Sequence, residues 1–185
     1  MHKYYIFLLA LCINCNSYCQ KIIIDGKEGN RPLQWDDFKG KPDERSGAFA
    51  HTHWRITSKF NTLSFKSDTA VLKGFEINVE FDSPTSWVNK DKSSDAQLKH
   101  EQGHFNIAII WQREMIHAFN TLVFMKADAH EKISGQFKSM YDKCKQMQKQ
   151  YDRETEYSDN KEQQEKWDKF INDELERTAS IIVLK

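Results

Sequence analysis

The chain is short of most things that would mark it as something other than an ordinary folded domain. It has no excess of either charge: 27 Lys and Arg stand against 27 Asp and Glu. The broad electrostatic argument for a nucleic-acid partner or an anionic membrane is thereby removed. Glycine and proline are sparse, at seven and three residues, which excludes a collagen-like fibre and a low-complexity linker. The apolar run Ile6 to Leu11 is far shorter than the roughly 20 residues a spanning helix needs, so no stable membrane span is expected. Cysteine is scarce where it would matter: three of the four, Cys12, Cys15 and Cys19, crowd into the first twenty positions. What the chain does have is 12% aromatic residues over 185 positions, enough anchoring side chains for a single packed domain.

The first residues read as an address. Met1-His-Lys-Tyr-Tyr is a basic start, Ile6 to Leu11 is apolar, and small and polar residues follow to Gln20. Together these make a secretory signal peptide over residues 1–20, with a single domain over 21–185 that is secreted or periplasmic. A lipid-anchored cysteine fits worse, because Cys19 follows Asn16-Ser17-Tyr18 where a Leu-like and then a small residue are wanted. Once the leader is removed, Cys144 has no partner for an intramolecular disulfide, so the fold must stand on its core.

Two periodicities divide the remainder. Ala50, Thr52, Trp54 and Ile56 alternate with His51, His53, Arg55 and Thr57, and Phe75, Ile77, Val79 and Phe81 alternate with Glu76, Asn78, Glu80 and Asp82. Period two with polar partners predicts a half-buried antiparallel sheet. From Ser94 the period becomes helical. Ser94 with Gln97 has the form of a capping box, and Phe105, Ala108, Trp111, Met115 and Phe119 recur at threes and fours, with Ile107, Ile109 and Ile110 on further faces. That helix is expected to be central and buried. Ile133, Phe137, Met140, Cys144, Met147 and Tyr151 mark a second helix, with Cys144 in its apolar stripe. A polar break over 152–160 follows, then a third helix opens at Asn160, and Ile181 to Leu184 is expected as a last strand or docked extension. The fold class is α+β: an N-terminal antiparallel β-sheet, then a helical half carrying the His-Glu-x-x-His helix.

That motif, His100-Glu-Gln-Gly-His104, carries a mechanism. Residues four apart share a helix face, so His100 and His104 can present ring nitrogens to one ion, expected to be zinc. Glu101 lies on the neighbouring ridge as the base for a water attacking a carbonyl. Of the other histidines, His51 and His53 have a two-residue spacing that metal sites use but read as a wet strand face, His117 as a surface or packing residue, and His130 as exposed.

Four blocks, Leu33-Gln-Trp35-Asp-Asp-Phe38-Lys-Gly40-Lys-Pro42, Ser86-Trp87-Val88, Leu98-Lys-His100-Glu-Gln-Gly-His104-Phe105 and Tyr151-Asp152-Arg-Glu-Thr155, resemble the bacterial domain of unknown function 922. That family is regarded as secreted zinc-dependent proteases. The resemblance implies a zincin-like site, with His100 and His104 as ligands and Glu101 as base. Related sequences often carry a His two residues after this Thr, where Tyr157 stands here. The third ligand therefore falls among Tyr157, Glu154, Glu156 and Asp152, or comes from elsewhere. The expected activity is that of an exported zinc peptidase acting on peptide or protein substrates. The alternative is a non-catalytic exported module that binds metal or a cell-envelope partner.

Overall fold

The computed structural model of the chain describes residues 19–183, so nearly all of the expected leader lies outside the described residues. Strand β1 (Cys19–Ile24) turns into β2 (Lys27–Glu28) through Asp25 and Gly26. Their φ values of 53° and 70° suit the tight left-handed turn that Asp-Gly favours between paired strands. Short β3 (Ala50–His51) precedes β4 (Trp54–Lys59), and the β5 (Thr62–Lys66) and β6 (Thr69–Lys73) hairpin leads to β7 (Glu76–Phe81) and β8 (Trp87–Val88). Helix α1 (Asp95–Thr121), β9 (Phe124–Met125), α2 (Ala129–Thr155) and α3 (Lys161–Val183) complete the chain. The architecture is α+β, with sheets first and three helices after them.

The main sheet runs β2-β1-β7-β4, and smaller sheets pair β3 with β8 and β5-β6-β9. Ile77, Val79 and Phe81 of β7 are wholly buried. The expected all-antiparallel arrangement needs correction: β7 pairs antiparallel with β4 but parallel with β1. Alternation of burial reports which face of a strand is covered and not which way the strand runs, and the long excursion from β2 through β6 allows β1 and β7 to point the same way. The C-terminal residues are also corrected. Residues 181–183 continue α3 in place of a strand, while Leu184 lies outside the described residues.

Helix α1 packs on β7, β4 and β3 with one side and on α2 and α3 with the other. This explains its apolar residues on several faces: Phe105, Ile107, Ala108 and Met115 are all essentially buried. Its hold on the sheet is partly polar. The fully buried Gln112 donates from Nε2 to the carbonyls of Lys21 (2.9 Å) and Ile77 (2.7 Å), on the adjacent strands β1 and β7. Replacing Gln112 with Met keeps the volume but removes both donors. The expected outcome is a loss of about 2 kcal/mol of stability, read from the urea midpoint.

Candidate functional site

The site begins with a helix start. Ser94 Oγ accepts the Gln97 amide (3.2 Å), satisfying a donor that the first turn of α1 would otherwise leave open. The capped helix buries His100 and Glu101, 4% and 5% exposed, with the His100 ring facing α2 and α3. The His100 and His104 rings lie 4.9 Å apart at 89°.

Each imidazole is oriented by an amide from another helix. His100 Nδ1 meets Gln164 Oε1 (3.0 Å), and His104 Nδ1 meets Gln148 Oε1 (2.5 Å). The amides cannot be reversed without loss, because their nitrogens are already donating. Gln148 Nε2 donates to the His104 carbonyl (2.9 Å), and Gln164 Nε2 donates to Tyr151 Oη (2.7 Å) and Asp168 Oδ1 (2.8 Å). An amide oxygen only accepts, so both Nδ1 atoms donate to the glutamines and both Nε2 atoms are turned toward one point, where they donate to a carboxylate when protonated and offer lone pairs to a metal ion when not. At that point stands Asp152 of α2, whose Oδ1 is 3.3 Å from His100 Nε2 and 2.8 Å from His104 Nε2.

Burial would raise the Asp152 carboxyl, but hydrogen bonds and charge from the two histidines outweigh it and hold Asp152 well below the carboxylate range. Burial would likewise lower His104, yet the hydrogen bond and charge of Asp152, with Glu101 adding to them, leave its net shift upward.

Tyr151 is the spacer that lets α1 and α2 meet. It stacks on His100 (4.5 Å, 15°) and donates Oη to the His100 carbonyl (3.2 Å). A Cβ at Gly103 would lie 2.3 Å from that Oη, so the fourth motif position must be glycine to admit the ring. Gln102, between Glu101 and Gly103, serves a different neighbour: its Oε1 accepts the Leu33 amide (2.6 Å). The Trp35–Asp37 turn is clipped alongside by Arg31, which binds both oxygens of Asp37 (2.7 and 2.6 Å). The Trp-Asp-Asp-Phe block therefore braces the motif helix from outside.

A donor set of two imidazole nitrogens and one carboxylate oxygen results. The ligating atoms of His100, His104 and Asp152 all lie within 4.8 Å of one another. These residues fit a divalent metal ion, because two imidazole Nε2 atoms and a carboxylate oxygen converge, and a bound ion would replace the Nε2 protons between them. A second observation points the same way: Glu101 Oε2 is buried yet has no hydrogen-bond partner, and the side chain lines a cavity of about 460 Å³ beside the cluster. A buried carboxylate oxygen without a hydrogen-bond partner is what a bound water or ligand would satisfy.

Among the four third-ligand candidates, Asp152 converges with the histidines. Glu154 does not: its Oε2 accepts from Trp167 Nε1 (2.9 Å) and its Oε1 from Gln150 (2.8 Å). Glu156 and Tyr157 stand on the cavity rim and outside the cluster. The paired reading of His51 and His53 separates: His51 lines the cavity, whereas His53 Nδ1 contacts Asp82 (3.2 Å) and Thr85 Oγ1 (2.8 Å). His117 and His130 are exposed. Cys144 is sealed in the core, where burial pushes its thiol up to about 12. Gln148, Gln164 and Tyr151 were missed as site residues because their roles depend on helices packing together.

Residues 24–158 match the family profile described as bacterial protein of unknown function, DUF922, and the chain belongs to that family. No curated protein and no solved structure matches it.

Two outcomes follow from the geometry. Gly103→Ala drives Cβ into Tyr151 and is expected to cost about 1–3 kcal/mol by chemical denaturation. In metal-free protein, the contribution of Asp152 to stability is fully present above its ordinary value of 3.8 and is lost as pH falls through the lower folded value. That of raised His104 is fully present below 6.5 and is lost as pH rises through the folded value. Asp152→Asn is expected to flatten both limbs of a stability-against-pH profile. A profile matching that of the unaltered chain would break the pairing.

Proposed function

We propose that this DUF922 member is an exported, metal-dependent peptidase, with Glu101 as general base and His100, His104 and Asp152 as the residues that would hold a divalent ion. The observation that carries the reading is the buried Oε2 of Glu101, without a hydrogen-bond partner, in the residue next to two imidazoles whose Nε2 atoms converge on a shared carboxylate. Nitrogen and oxygen donors in this ratio suit zinc and also iron(II); a free acid adjacent to them favours hydrolysis and hence zinc. When bound, such an ion polarises a carbonyl and acidifies water.

The chain's own groups account for the rest of the reaction. Glu101 takes the proton of the attacking water and returns it to the leaving amine, a role that a carboxylate tied up in other hydrogen bonds could not fill. Gln148 and Gln164 keep the histidines in one tautomer and rotation, so no reorganisation is needed as charge develops. Thr52 Oγ1 donates to the Glu101 carbonyl (3.2 Å), registering the residues after β3 against the motif. Ala50 and His51 of that strand line the cavity, and main-chain groups there can align an extended peptide. Export rests on the basic, apolar and small-residue pattern of the first twenty residues. The rival reading, a metal-binding module without turnover, drew on Tyr157 standing where a ligand was sought. It is weakened by Asp152 as an alternative third donor.

Metal analysis of the purified protein is expected to find one equivalent of zinc per chain, with His104→Ala losing most of it. Glu101→Gln is expected to retain the metal and to lose peptide hydrolysis by about 10²–10⁴-fold. Full activity in Glu101→Gln would remove the proposed base, and a chain free of metal after growth and reconstitution with zinc would remove the centre.

A further inference from the structure

We propose that Asp168, backed by Lys99, decides which ring nitrogen of His100 is left for the metal ion, acting through Gln164 as a positioning residue outside the donor set. This rests on the metal centre described above and adds to it the residues that hold one of its ligands in the competent form.

The two histidines are oriented by glutamines whose own orientation has different origins. Gln148 Nε2 donates to the main-chain carbonyl of His104 (2.9 Å), an acceptor that can never become a donor. Gln164 Nε2 donates instead to two side chains, Tyr151 Oη (2.7 Å) and Asp168 Oδ1 (2.8 Å). The first of these is indifferent to the direction of the amide. A phenol hydroxyl accepts from an amide nitrogen or, after rotation about its C–O bond, donates to an amide oxygen. The Asp168 carboxylate only accepts. Of the two partners, it alone requires the nitrogen of Gln164 on its own side and hence the oxygen on His100 Nδ1 (3.0 Å). Thr155 lends weak help: its hydroxyl hydrogen goes to the Tyr151 carbonyl (2.7 Å), which leaves a lone pair 3.5 Å from the same Nδ1.

Lys99 completes the relay. Its Nζ stands 2.5 Å from Asp168 Oδ2, and the two side chains are 63% and 15% exposed. The carboxylate thus gives one oxygen to an ammonium near the surface and the other to a buried amide. Lys99 immediately precedes His100 on α1, and Asp168 lies one turn beyond Gln164 on α3, so the relay closes between the same two helices that bring Gln164 to the ring.

A directed consequence follows for Asp168→Asn, which keeps the shape and exchanges one oxygen for NH2. Lys99 has only donors, so the remaining oxygen turns to Lys99 and the new NH2 faces Gln164. Two amide nitrogens cannot satisfy each other. Gln164 therefore reverses, its oxygen taking the new donor and its nitrogen passing to His100 Nδ1. The ring then accepts at Nδ1 and keeps its hydrogen on Nε2, the atom that faces Asp152 (3.3 Å) and that an ion would need bare.

The test compares the full mature chain with Asp168→Asn, with Lys99→Met and with both substitutions together. In metal-free protein in mildly alkaline buffer, nitrogen-15 NMR of the imidazoles is expected to show a protonated Nδ1 on His100 in the unaltered chain and a bare one in Asp168→Asn. His104, fixed through a main-chain carbonyl, is expected to keep its signature in both. Zinc affinity, read by competition with a chelating dye, is expected to fall by about 10–100-fold in Asp168→Asn. Lys99→Met alone is expected to change neither readout, because Asp168 still only accepts. Added to Asp168→Asn, it removes the donor that turned the new amide round, and most of the affinity is expected to return. A purely structural role for the ion pair predicts the opposite, a double variant no better than Asp168→Asn. That result, or a protonated Nδ1 with unaltered affinity in Asp168→Asn, overturns the relay. An unaltered chain that binds no zinc would end the metal reading, while the nitrogen comparison would still judge the relay.

Discussion

The arrangement depends on two side-chain amides facing two imidazoles. Gln148 and Gln164 come from different helices, and each commits its nitrogen to other neighbours so that its oxygen must accept from a histidine Nδ1. That single constraint sets the tautomer of both rings and turns both Nε2 atoms toward Asp152. Without the amides, the rings could rotate or exchange tautomers, and three donor atoms would share a neighbourhood without sharing a target. The buried position of the cluster makes the constraint strict, because an unpaired Nδ1–H at that depth has no water to turn to.

How much of this was legible beforehand follows the distance over which each feature is encoded. The cap at Ser94, the i, i+4 placement of His100 and His104, and the burial of α1 on several faces are local, and the residue pattern contains them. Asp152 was one of four carboxylate or phenol candidates in a single stretch. Choosing among them requires the angle at which α2 crosses α1, which is set by Tyr151 lying against Gly103. The supporting glutamines are 44 and 64 positions from their histidines, and nothing in their local sequence distinguishes them from other surface-compatible Gln residues. The parallel pairing of β1 with β7 was hidden for a related reason: alternation encodes a buried face, while strand direction is a property of the path between strands.

The Trp35–Asp37 turn illustrates a motif whose meaning is mechanical. Nothing in it carries reactive chemistry, and its residues are spent on holding a loop: Arg31 clips Asp37, Phe38 packs edge-on against Phe81 (5.0 Å), and Phe81 in turn meets Phe105 of α1 (5.7 Å). Together with the Leu33 amide on Gln102, this lays a brace across the helix next to its reactive residues. The brace gives physical content to a sequence block that is otherwise conspicuous without an assignable role.

Gln112 sits about two helical turns beyond the motif and reaches two strands at once. A rod bolted in this way can neither slide nor roll on the layer beneath it, so helix α1 and the main sheet behave as one anvil. Any widening of the cleft to admit a bulky chain must then come from the opposite jaw, where the turn joining α2 to α3 meets solvent.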